Sequence, residues 1–109
     1  MSEHACLVYC TIPDIKQAEQ IARTLVEKRL AACCNIIPGI TSFYRWENNV
    51  QRDDEVLLLI KTTARRYEQL EKEIKMMHTY SVPEIIATNI ELASEAYLDW
   101  IFANTGDKF

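Results

Sequence analysis

A chain of 109 residues has room for one domain core and not two, since ~100–150 residues is the commonest domain size. Hydrophobic residues make up 49% of it and Gly plus Pro are scarce, at two and three, which excludes a disordered or low-complexity chain. A net charge of −4 with a pI near 5.1 argues against nucleic-acid binding, which needs clustered Lys and Arg to displace counterions.

The basic pairs, Lys28-Arg29 and Arg65-Arg66, fit solvated helix ends, where a cation suits the C-terminal dipole or sits among Glu68, Glu71 and Glu73. Met1-Ser2-Glu3-His4 has no basic leader, and the apolar run behind it is too short for a membrane span. A cytoplasmic location is the expectation, with no membrane partner. Cys6, Cys10, Cys33 and Cys34 are then expected as free thiols, and no Cys-x-x-Cys spacing suggests zinc or thioredoxin-type chemistry.

In chain order, Ala5 to Thr11 is a short apolar run of β-formers closed by Pro13 and predicts a buried strand. Asp14 with Gln17 three residues on resembles a capping box. Ile15, Ala18, Ile21, Ala22, Leu25 and Val26 recur at helical spacing, predicting a helix to about Arg29. Leu30 to Ile37 is β-compatible, and Pro38-Gly39 predicts a bulge or bend. Beyond it Ser42, Tyr44 and Trp46 alternate with Thr41, Phe43 and Arg45, placing aromatics on both faces of the strand.

Glu47-Asn48-Asn49 suits a tight hairpin, and Val50 to Thr63 is a second long strand with the apolar centre Val56-Leu57-Leu58-Leu59-Ile60. Tyr67, Leu70, Ile74 and Met77 predict a second amphipathic helix. Tyr80 to Pro83 breaks it before a fourth strand at Glu84 to Glu91. Ser94 caps a last helix carrying Ala96, Tyr97, Trp100 and Ile101, with Gly106 in a frayed tail and His4 in a mobile one. The order βαββαβ followed by α predicts a single α+β domain over residues 1–109: a ferredoxin-like antiparallel sheet with helices on one face and an extra C-terminal helix. The long hairpin outreaches that sheet and predicts self-association, since its aromatic faces and strand edges would otherwise lie bare.

Several segments in this order resemble the CutA family of divalent-cation tolerance proteins. They are Cys10-Thr-Ile-Pro13, Leu30-Ala-Ala-Cys33 leading to Ile37-Pro-Gly39, Ser42-Phe-Tyr44-Arg-Trp46, Glu55 to Ile60-Lys-Thr62, His78-Thr-Tyr80, Val82-Pro-Glu84 and Tyr97-Leu-Asp-Trp100. The resemblance implies a ferredoxin-like subunit, a tight homotrimer akin to the PII signalling proteins, a cytoplasmic location and a link to copper and other divalent metals. The chain departs from the family pattern at Thr79, where proline is common, and at Asn48-Asn49, where a glycine often follows the Trp.

Split βαβ topology places the end of the first strand beside the start of the fourth, which brings Cys10 toward Met77 and His78. Thiolate, thioether and imidazole form a soft set suited to Cu(I), and the resemblance implies that the Cys10 and His78 positions are candidate copper ligands, for a weak or transient metal. The alternative is structural: Cys10 and Met77 as packing residues and His78 as a loop histidine. Cys33 and Cys34 point to opposite faces of a strand and are read as packing. Tyr44, Trp46, Glu55, Lys61 and Glu84 form a second constellation, expected either to line an intersubunit cleft for a small anion or metabolite, or to form interface salt bridges, because Lys and Glu are rarely buried unpaired.

An enzyme of the acylphosphatase type would want a glycine-rich anion cradle, and the only glycines are Gly39 and Gly106. A redox protein using Cys10 lacks a resolving cysteine. The sequence therefore predicts a non-enzymatic homotrimer that binds metal ions and no organic cofactor, with an anion-binding trimer or a scaffold as the competing readings.

Overall fold

The protein is seen here in a computed structural model that describes residues 4–106; positions 1–3 and 107–109 of the expected 1–109 domain lie outside the described residues. The elements are β1 (Ala5–Ile12), α1 (Ile15–Glu27), β2 (Cys33–Trp46), β3 (Asn49–Thr63), α2 (Ala64–Met77), β4 (Ile85–Asn89) and α3 (Glu95–Ala103). The strands form one antiparallel sheet in the order β2-β3-β1-β4, the topology that the element order predicts. Among the described residues no helix is long and apolar enough to cross a membrane.

Period-two alternation sorts the sheet residues into two faces. Val8, Cys10 and Ile12 of β1 and Val56, Leu58 and Ile60 of β3 point toward α1 and α2, where they meet Ala18, Ile21, Leu25, Leu70 and Ile74. Fully burying an aliphatic side chain of this size contributes about 1.5–3 kcal/mol, so this layer dominates the fold. Asp14 Oδ1 accepts the Gln17 N–H at 2.8 Å and starts α1. Ser94 does the same for α3, accepting the Tyr97 N–H at 3.4 Å.

Three boundaries differ from the sequence reading, each for a local reason. Helix α1 stops at Glu27 because Arg29 turns into the left-handed region at φ 60°. Leu30 and Ala31 then both donate to the Leu25 carbonyl, so Leu30 to Ala32 form a buried corner and β2 begins at Cys33. Arg29 is held there by bonds from Nε to the Gly106 carbonyl at 2.9 Å and from Nη2 to the Ala103 carbonyl at 2.8 Å. Gly106 returns its N–H to the Arg29 carbonyl at 3.0 Å, so this residue, expected in a frayed tail, is tied down. The His4 carbonyl likewise accepts the Ala64 N–H at 2.9 Å. Strand β4 is shorter than expected because β1 offers it partners only from Cys6 to Cys10.

The register breaks between Ile37 and Ile40, with Gly39 at φ 77°, and this is the predicted bulge. Beyond it β2 and β3 pair only with each other, from Ile40–Glu55 to Trp46–Asn49, because β1 ends its pairing at Val56. The result is a two-stranded arm that gives the molecule a long axis of 46 Å against 25 and 24 Å. Glu47 and Asn48, both at positive φ, close its tip.

The expectation of helices on one face holds for α1 and α2 but not for α3. Ile101 and Leu98 of α3 pack with Ala5 and Ala32, and Ala5 points away from the α1–α2 layer. Helix α3 covers only that end of the second face. The remainder is a grid set by the register: Asn35, Leu59, Tyr9 and Ile86 in one row, with Ile37, Leu57 and Thr11 in the next. Leu57, Leu59 and Tyr9 are half-buried, and Ile37 and Ile86 are exposed.

Candidate functional site

Where the arm leaves the sheet, it faces the segment joining α2 to β4, and one histidine fixes that segment. His78 is the C-cap of α2 and is 8% exposed. The Tyr80 N–H donates to its Nδ1 at 3.1 Å, which requires a lone pair there; the ring proton therefore sits on Nε2 and donates to the Thr11 carbonyl at 2.9 Å. The Tyr80 ring stacks at a tilt on the imidazole, centroids 4.8 Å apart, and its hydroxyl donates to Glu55 Oε2 at 2.8 Å. A chain of contacts thus runs from the end of β1 through His78 and Tyr80 to the base of the arm. With threonine at 79, it is this histidine bridge that orders the turn.

The three proposed soft ligands do not present a copper site in this geometry. Both ring nitrogens of His78 are committed, so no imidazole lone pair is free for a metal. Cys10 is fully buried. Burial, then the charges of Glu84 and Glu55, push its thiol up to about 12, far from the thiolate that ligation requires. Met77 packs against the main core. Topology does bring His78 against the residue that follows Cys10, as expected, but hydrogen bonding and packing use up the donors. Among the described residues no group of three or more His, Cys, Asp or Glu could hold a metal ion.

Four of the five cleft candidates do come together. Tyr44, Trp46, Glu55 and Glu84 line a cavity of about 790 Å³ between the arm and the 78–84 segment, within the ~300–1,000 Å³ typical of small-ligand sites. Lys61 does not join them. Six residues along β3 separate it from Glu55, about 20 Å of strand, and it hydrogen-bonds Asn35 at the other end of the sheet.

This sorting decides the sign of the site. Among the described residues its lining includes two carboxylates and no Lys, Arg or His, and Asp53 stands next to it, hydrogen-bonded by the Tyr44 hydroxyl. The bond to Asp53 holds the Tyr44 phenol above its ordinary range; burial and the bond to Glu55 raise that of Tyr80. Both phenols stay neutral donors. Thr11 Oγ1 approaches Glu84 Oε1 at 3.5 Å. An acidic, aromatic-walled cleft with no cation disfavours the small anion of the sequence reading and favours a cation. Tyr80, Thr11 and Asp53 are site residues that sequence reasoning left without a role. For Asp53 the signal was legible: it lies two positions from Glu55, on the same face of the strand.

Residues 6–104 match the family model described as CutA1 divalent ion tolerance protein. The divalent-cation tolerance protein CutA of Thermus thermophilus is 49% identical over 100 residues, 92% of this chain and 97% of that protein. The chloroplastic CutA of Arabidopsis thaliana is 43% identical over 99 residues, 91% of this chain but 54% of that protein, so the chain spans about half the length of that relative. The crystal structure of CutA1 from Oryza sativa superposes with a TM-score of 0.93 at 39% identity, covering 96% of each chain. With the sheet order, the long arm and the C-terminal helix all in place, this chain belongs to the CutA1 divalent-ion tolerance family.

Proposed function

We propose that this protein is a non-enzymatic, homotrimeric, cytoplasmic binder of cations that serves divalent-cation tolerance through the cleft at the base of its arm. The observation that carries the reading is the cleft's charge: among the described residues Glu55 and Glu84 line it and no basic side chain does. The donors there are all oxygens, from carboxylates, phenols and Thr11, a hard set that suits Zn(II), Mn(II) or Mg(II) better than Cu(I). Two carboxylates alone hold a divalent ion weakly, and in this reading a second subunit completes the set, an idea supported by the arm's reach beyond its own sheet.

The trimer is supported by the open sheet face, where Leu57, Leu59, Tyr9, Ile37 and Ile86 form an apolar grid with Ile37 and Ile86 exposed among the described residues, and by Phe43 and Val50 near the arm tip, 69% and 67% exposed. Copper at Cys10, Met77 and His78 is the second reading, and it requires His78 first to surrender its bond to Thr11. The four thiols are free, in keeping with a reducing compartment.

Calorimetric titration of Zn(II), Mn(II) and Cu(I) into reduced wild type and into Glu55→Gln/Glu84→Gln tests the reading. Loss of hard-cation binding in the double variant, with Cu(I) unaffected by His78→Gln, supports it. Cu(I) binding that depends on His78 and survives in the carboxamide variant sinks it. Light scattering should give three times the 12.7 kDa chain mass, and a monomer at micromolar concentration refutes the trimer. Cell fractionation that finds the chain outside the cytoplasm refutes the location.

A further inference from the structure

At the opposite end of the sheet from the cleft, Cys33 of β2 stands directly across from Lys61 of β3 in the strand register. Lys61 Nζ donates to Cys33 Sγ at 3.9 Å and is held in place by a hydrogen bond to Asn35 Oδ1. Cys33 Sγ in turn lies 3.9 Å from that same oxygen. The Tyr97 phenol of α3 is held above its ordinary range, first by burial and then by Cys33. Of the four thiols, Cys6 and Cys10 are buried, and Cys34 packs into the main core, where burial pushes its thiol up to about 12. Cys33 alone is half-buried on the second face with a primary amine at its side.

We propose that Cys33 and Lys61 form an oxidant-driven covalent link between β2 and β3, with a peroxide as the oxidant. In the first step the Cys33 sulfur attacks one peroxide oxygen, the O–O bond breaks, and the products are the sulfenic acid Cys33–S–OH and one water. Sulfur is oxidised by two electrons and the peroxide is reduced. In the second step the Lys61 ammonium passes one proton to solvent, its amine attacks that sulfur, the S–O bond breaks, and the hydroxyl leaves with a further amine proton as a second water. The product is the sulfenamide Cys33–S–NH–Lys61, at no further change in redox state. Sulfenic acids condense with thiols or with nitrogen nucleophiles. Here Cys34 points to the other face of the strand, which leaves the amine as the partner within reach. Closing the gap takes rotation only of the flexible Lys61 stem, because the two strands are already locked in register. A thiol reductant attacks the S–N sulfur and restores both side chains, so the link is reversible. Redox-active metal ions generate peroxide, and this pair would record such a load independently of the cleft.

The test treats intact reduced protein with a small excess of hydrogen peroxide, followed by whole-chain and peptide mass spectrometry, on wild type, Lys61→Arg and Cys34→Ala. Wild type and Cys34→Ala should lose two hydrogens per chain and yield one linked peptide pair joining Cys33 to Lys61, which separates on treatment with a thiol. Lys61→Arg keeps the charge but not the nucleophilic amine. It should show no such loss and should instead trap a cyclic-dione adduct at Cys33. Three results would each overturn the inference: a two-hydrogen loss that persists in Lys61→Arg and maps to Cys33–Cys34 or to a disulfide between chains, oxidation of Cys33 to sulfinic acid with no linked pair in wild type, or an unmodified Cys33.

Discussion

Replacing Cys10 by alanine should make the protein less stable at neutral pH and more resistant to alkali. The thiol is fully buried, and its pKa is pushed up from 9.0 to about 12 by burial, with Glu84 and Glu55 adding to it. The folded chain therefore keeps this proton at a pH where the unfolded chain has lost it. A raised pKa contributes stability that is complete below the unfolded value, near 9, and is lost as pH rises toward 12. Within that window one linked proton changes the unfolding free energy by about 1.4 kcal/mol per pH unit, so Cys10 alone accounts for up to about 4 kcal/mol across it. Deleting the sulfur leaves a small cavity that costs about 1 kcal/mol. The variant should thus start about 1 kcal/mol below wild type at pH 8, and the two curves should cross before pH 11. Urea unfolding from pH 7 to 11, with reductant and at fixed protein concentration, measures both curves. Cys34, raised to about 12 in the same way, is a second contributor, and Cys34→Ala serves as the parallel case. Parallel stability curves for wild type and Cys10→Ala would show that the thiol is not desolvated in the folded chain, and would reopen it as a metal ligand.

Three further substitutions probe the site and the assembly. His78→Ala removes the bridge between Thr11 and Tyr80 and orphans both backbone groups, so it should lower stability by about 2–3 kcal/mol in urea; a loss under about 0.5 kcal/mol would mean that the bridge does not organise the turn. Gly39→Ala places a Cβ in open space but at φ 77°, so thermal unfolding should report a strain of about 1–2 kcal/mol, and an unchanged Tm would refute the strain. Tyr9→Asp puts a charge at the centre of the open sheet face and should shift the scattering mass toward the monomer while the far-UV circular dichroism stays native. A trimer that survives this change does not use that face.

Much of the architecture follows from periodicity and turn chemistry that any window of the sequence carries. The helical spacing of Ala18, Ile21 and Leu25, the alternation of Val8, Cys10 and Ile12, the Pro38-Gly39 interruption and the Asn-rich hairpin are local signals, and they determined the element order, the bulge and the arm. Element ends were harder to read. Arg29 carries no local signal for the left-handed region, because its conformation is imposed by carbonyls from the far end of the chain.

The site shows the same division. Sequence alone determined that charged and aromatic residues sit on otherwise apolar strands, and it singled out Tyr44, Trp46, Glu55 and Glu84. Only the tertiary structure decided that Lys61 is excluded from their company, because strand rise carries it to the other end of the sheet, and that exclusion left the cleft lined by carboxylates without the lysine expected there. It also decided the use of Cys10 and His78. A sequence shows which atoms have lone pairs, but whether a lone pair is free depends on which backbone groups the fold brings to it, and here the Thr11 carbonyl and the Tyr80 N–H arrive first.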